Sequence, residues 1–184
     1  MTLHCVIDIE TLSLRPDALF LSIGAVMVDE GTMEIISEFD VAIDLEEETD
    51  ANLDRFHIDP RTVMWWMGQS EAARAAISDG LHTIEHALLS LTEWVSEHGD
   101  LQDIRFWGNG PSMDIVILEN AYREFGHLAP WMFSNVRCIR TVCENFDVRW
   151  KDHLPEGAAH DALEDAKAEA QGLIDCLRKK RALT

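Results

Sequence analysis

The chain has 184 residues, 47% of them hydrophobic, with 34 acidic side chains against 15 Lys and Arg and a net charge of −19. That length and apolar share fit one globular domain over residues 1–184 and exclude a disordered chain. The charge excludes a module that coats duplex nucleic acid, which relies on many cationic contacts to phosphate, but not an enzyme that holds a few nucleotides beside metal ions.

No apolar run approaches a membrane span, so no membrane partner is expected. Met1 to Cys5 lack the basic start and long apolar run of a signal peptide. Cys5, Cys138, Cys143 and Cys176 are scattered and form no C-x-x-C pair, so neither a zinc site nor a disulfide framework is suggested. A reduced, cytoplasmic protein is the simplest reading.

In chain order, residues 3–9 predict a first strand, which leads out through Asp8-Ile9-Glu10. Strand alternation sends Asp8 and Glu10 from one face, one pleat apart. Two adjacent carboxylates at a core strand repel and are costly to desolvate, which a hard divalent cation such as Mg²⁺ or Mn²⁺ resolves. The plainer reading is a strand end that reaches solvent. Thr11 to Asp17 is a polar loop broken by Pro16. Leu19 to Val28 is a second strand, Asp29 to Thr32 a turn, and Met33 to Ile43 a third strand, which makes an antiparallel meander.

Leu45 to Asp54 reads as an exposed loop, with Glu46-Glu47-Glu48 a solvated surface. A short helix runs to Trp66, with Asp59 as N-cap and Pro60 in its first position. Another opens at Ser70, and a longer one covers Thr83 to His98. Of the pair Trp65-Trp66, core packing suits one and a base-stacking position near a site suits the other. Residues 104–107 predict a fourth strand, 108–111 a tight loop, and Ser112 to Phe125 a helix closed by Gly126. Val136 to Ile139 is a short fifth strand, and a helix covers Arg140 to Asn145. Lys151 to Gly157 is a loop, and the last helix runs from Asp161 to Lys180.

Asp114 falls on the apolar face of its helix with Ile117, Leu118, Ala121 and Phe125. An acid at a helix start is also favoured by the dipole alone. Asp161 and Glu164 resemble a capping box, which leaves His160 just outside the helix and Asp165 one turn in, on the flank of the apolar stripe.

Taken together, Asp8-x-Glu10 on the first strand, Asp114 after the fourth, and His160-x-x-x-x-Asp165 near the C-terminus resemble the three motifs of the DEDDh (DnaQ-like) 3′→5′ exonucleases. The order and wide spacing both match, over nearly the whole chain. Val6 to Thr11, the Trp65-Trp66 pair and Val136 to Thr141 look like the phage DexA-type and bacterial exoribonuclease-like branch. Many members carry an aromatic residue before the second-motif aspartate, where this chain has Met113.

The resemblance implies an α/β, RNase H-like fold: a mixed five-stranded sheet flanked by helices on both faces. It implies two Mg²⁺ or Mn²⁺ ions held by Asp8, Glu10, Asp114 and Asp165, with His160 as general base. The expected substrate is single-stranded DNA or RNA, or an overhang, with a free 3′ end, and the product a nucleoside 5′-monophosphate. By the same resemblance the backbone at Thr11 and Leu12 and the side chain of Asn109 would contact the terminal nucleotide, with Trp66 near it. Two other classes stay open: a phosphodiesterase of very short oligonucleotides, and a non-catalytic nucleic-acid-binding module. The full set of four acids and a histidine argues against the second. The sequence leaves a homodimer open.

Overall fold

The computed structural model describes residues 2–78, 80–158 and 160–183. Its centre is a five-stranded sheet of β1 (Leu3–Thr11), β2 (Phe20–Asp29), β3 (Glu34–Ala42), β4 (Ile104–Gly108) and β5 (Val136–Cys138), in the order β3-β2-β1-β4-β5. β1, β2 and β3 pair antiparallel, and β4 and β5 join parallel to β1. The expected mixed sheet with its opening meander is therefore present.

The alternation of β1 divides the molecule into layers. Cys5, Ile7 and Ile9 point to one side, where α4 (Ile84–Ser96) and α5 (Asp114–Glu124) bury Leu88, Leu91, Val95, Leu118 and Tyr122. Val6 points to the other, where α6 (Ile139–Asn145) and α7 (Ala162–Ala182) supply Ile139, Cys143, Ala170, Leu173 and Ile174. Three short helices, α1 (Asp50–Leu53), α2 (Pro60–Met67) and α3 (Glu71–Ser78), cross the sheet's end, where Trp66 and Ala73 pack on Leu21.

The helix starts follow local chemistry. Asp59 accepts from the amide of Arg61 with Pro60 in the first turn, and Thr83 accepts from His86. Asp161 accepts from the amides of Leu163 and Glu164, 3.1 Å each. The other half of the expected capping box is replaced: the Glu164 carboxylate pairs with Lys167 at 3.1 Å.

Three expectations are corrected. The segment read as an exposed loop contains α1, and Glu48, read as part of a solvated run, is buried. Its carboxylate accepts from the amide of Ile84 and from Asn52 Nδ2, so it satisfies a free donor at the start of α4. Part of the loop expected after residue 151 is a 3₁₀ turn over Trp150–His153. A second such turn, Phe133–Asn135, leads into β5.

One close approach sets the site's dimensions. Gly24 on β2 stands opposite Asp8 in the β1–β2 register. The start of α7 lies so close over it that a Cβ at residue 24 would come within 2.1 Å of the Ala162 carbonyl carbon. Only glycine lets backbone approach backbone this way.

Candidate active site

Val6, Asp8 and Glu10 leave β1 on the α7 side, so the strand that builds the core also delivers two acids beneath the last helix. Asp114 is the first residue of α5, just beyond the loop that follows β4. It sits against Gly108, where an added Cβ would come within 2.9 Å of Asp114 Oδ2. His160 precedes α7 and has a φ of 68°, in the left-handed region, while Asp165 lies one turn inside the helix. That turn lets the His160 amide donate to Asp165 Oδ2 at 2.9 Å, which pins the two residues together.

The fold thus gathers the five sequence-predicted residues from three distant segments. Burial raises the Asp8 carboxyl well above its ordinary value, and the nearby charges of Asp114, Glu10 and Asp165 raise it further. Potential ligand atoms of Glu10, His160 and Asp165 all lie within 4.8 Å of one another. Burial, and then the charges of Asp165 and Asp114, push the Glu10 carboxyl up to about 8. Burial pushes Asp114 up to about 7, against the pull of the Asp114 and Asn109 amides and the Arg140 guanidinium. Asp165 is raised by burial, against the His160 amide, His160 itself and Lys151.

A further acid belongs to this group. Glu169, one turn beyond Asp165, is 1% exposed, and its Oε2 has no hydrogen-bond partner among the described residues. Burial and Asp114 raise its pKa, partly offset by a hydrogen bond with the Asn109 side chain. Its signal in the sequence is helical spacing: Glu169 falls on the buried stripe between Ala166 and Leu173.

Buried carboxylates without cationic partners are unstable as a charged set. Oxygen donors in this number, with one imidazole beside them, are the ligand chemistry of Mg²⁺ or Mn²⁺. The residues present therefore fit a divalent-cation centre.

The expected substrate contacts are distributed differently. Trp66 is 4% exposed and donates through Nε1 to the Thr11 carbonyl at 2.9 Å, so it props the end of β1. Trp65 is 44% exposed and meets the His160 ring edge-on, 4.8 Å between centroids. Trp65, and not Trp66, therefore presents an open aromatic face at the mouth of the site. The Thr11 hydroxyl donates to the Ser13 carbonyl, and the Leu12 amide donates to Leu19 at 2.8 Å. The Leu12 amide is thus already engaged within the fold. Asn109 turns its side chain toward Glu169, its Oδ1 is buried without a partner among the described residues, and its carbonyl accepts from Arg140 at 2.8 Å.

Several solved structures share this fold. The nuclease domain of 3'hExo, a DEDDh family member bound to rAMP, aligns over 96% of this chain and 92% of its own, with a TM-score of 0.64 and 17% identity. A 3'-exonuclease described for 3'-end specific recognition of histone mRNA stem-loop aligns over 96% and 82%, with a TM-score of 0.63 and 15% identity. The zinc-bound E. coli ExoI–ssDNA complex aligns over 98% of this chain but 41% of its own, with a TM-score of 0.63 and 15% identity. No curated protein sequence matches the chain. The model of the 3'-5' exoribonuclease Rv2179c-like domain matches residues 3–176. With the DEDDh residues converged in an RNase H-like fold, the chain belongs to that family and is a 3′→5′ exonuclease.

Proposed function

We propose that the chain shortens a single strand or overhang from its free 3′ end, one nucleoside 5′-monophosphate at a time, and that its substrate is RNA. The observation that carries this reading is the convergence of carboxylates from β1, α5 and α7 beside His160, with Glu10, Asp114 and Glu169 buried. The family's description as exoribonucleases supports RNA, and the zinc-bound ExoI–ssDNA complex supports a divalent-cation site.

Asp8, Glu10, Asp114 and Asp165 would hold the cations, with Asp8 placed to serve as a ligand shared between the Glu10–Asp165 side and the Asp114 side. When bound, Mg²⁺ or Mn²⁺ neutralises phosphate charge and lowers the pKa of the attacking water. His160 takes the proton from that water as its oxygen bonds to phosphorus. The bond from phosphorus to the preceding nucleotide's O3′ breaks, and that oxygen takes a proton from solvent. Asp165 fixes the base, because its carboxylate holds the His160 backbone in place. Trp65 offers its exposed face to the terminal base.

The test is release of mononucleotides from labelled strands, as RNA and DNA, with free or phosphate-blocked 3′ ends, with Mg²⁺ or Mn²⁺ and with chelator. Divalent-dependent release from free ends, faster on RNA, is expected. Equal rates on blocked and free ends, cleavage of circles, or full activity in chelator would overturn the reading.

A further inference from the structure

Cations are scarce in this protein, 15 in all, yet three of them border one groove. It runs between α6 and the 150–153 turn, has a volume of about 230 Å³, and is lined by Arg140, Glu144, Val148, Arg149, Trp150 and Lys151 among others. Glu144 is the one acid in this wall. Among the described residues Arg149 pairs only with Asp152, at 3.7 Å between exposed side chains, and such a pair is weak. The Lys151 ammonium lies 5.4 Å from the centroid of the Trp150 ring and makes no ion pair among the described residues.

The groove opens beside the acids of the site. Arg140 donates to the Asn109 carbonyl at 2.8 Å and acts on Asp114, and Lys151 acts on Asp165. Trp150 packs on α7 at Gly172, where an added Cβ would come within 2.6 Å of Trp150 Cβ. Gly172 lies two turns beyond Asp165, about 10 Å along the helix axis. A fixed aromatic ring flanked by cations is what holds a single strand without reading its sequence. A local basic patch is also what an acidic protein needs to draw a polyanion to one face.

We propose that this groove is a second nucleotide subsite, which holds the phosphate and base of nucleotides lying 5′ of the pair joined by the scissile bond. It rests on the function proposed above and deepens it: a strand longer than two nucleotides is gripped twice, by its 3′ end at the acids and by its body at Trp150, Arg149 and Lys151.

The test compares a dinucleotide with an octanucleotide, in wild type and in the double variant Arg149→Ala/Lys151→Ala. For the octanucleotide, KM should rise about tenfold at low salt and the salt dependence of kcat/KM should flatten, since each lost phosphate contact removes about 0.7 from the logarithmic slope. Dinucleotide kcat/KM should stay within twofold. An unchanged octanucleotide KM, or an equal loss on both lengths, would overturn the subsite. Wild-type inactivity on both lengths would overturn the proposed function alone. Equilibrium binding of a 5′-labelled octanucleotide to wild type and double variant then decides the groove, and equal affinities would overturn it.

Discussion

The two ends of β1 bury polar side chains in opposite ways. At its start His4 is fully enclosed and its needs are met: Trp107 Nε1 donates to Nδ1 at 3.0 Å, so the ring proton sits on Nε2 and faces Glu30 at 3.3 Å. Burial lowers the His4 pKa against the pull of Glu30, which keeps the ring neutral. At its end buried Glu10 and half-buried Asp8 stand among other acids, with no cation paired to them among the described residues. The first arrangement is closed and needs nothing from outside. The second is open in the chemical sense, because its cost is relieved only when something positive arrives. Burial of a polar group alone does not mark function; burial with the partner left out does.

The largest contrast is expected from Asp8→Asn, which should abolish hydrolysis and weaken Mn²⁺ binding. Titration calorimetry showing wild-type Mn²⁺ affinity would remove Asp8 from the site. His160→Ala should keep Mn²⁺ binding and the fold but lose about 10²–10⁴-fold in rate, the range for a general base. Initial rates beside calorimetry on the same samples check this, and a rate near wild type would end the assignment.

The next effect is on stability, and its sign follows from the raised carboxyls. A group whose folded pKa lies above its unfolded one contributes stability that is full below the unfolded pKa and lost as pH rises through the folded value. For Glu10 and Asp114 the loss spans the interval from their ordinary carboxyl values up to about 8 and about 7. Metal-free protein should therefore weaken across that interval. Glu10→Gln should flatten the slope and exceed wild type by several degrees at the alkaline end, since about 1 kcal/mol moves Tm by roughly 2–4 °C at this size. Saturating Mn²⁺ should close the gap, and calorimetric scans with chelator and with metal would show it.

The closed end of β1 should behave in the reverse way. His4→Leu strands the Trp107 donor and should cost about 1–3 kcal/mol, with kcat unchanged; a melt paired with a rate measurement separates the two. The smallest effect is expected from Asp161→Ala, about 0.5–2 kcal/mol for a lost N-cap, with activity retained at low temperature. An Asp161→Ala protein that is stable but inactive would exchange its role with that of His160.

What the sequence made legible was local or periodic. Alternation put Asp8 and Glu10 on one face, and Asp59, Pro60 and Asp161 announced their helix starts. Glu48 was hidden because the amide it satisfies, Ile84, is 36 residues away, and nothing near Glu48 shows that a helix will begin there. Glu169 carried a readable signal, an acid on an apolar stripe, yet its meaning depends on Asp8 and Asp114 arriving from other segments. Trp65 and Trp66 are adjacent and chemically identical. Only the Thr11 carbonyl, brought in by the end of β1, settles which ring turns inward.

Gly24 carries no side chain, yet it acts as the gauge of the machine. The α7 backbone rests where a side chain on β2 would be, so the span from β1 to His160 and Asp165 is set by a hydrogen instead of a methyl. Carbon contacts settle at about 3.5–4.0 Å, so one added methyl would lever the start of α7 outward. A displacement of about 1 Å at a reacting centre can cost 10²-fold in rate. Inactivity in this fold can thus be inherited with every reactive side chain intact, through the loss of a gap.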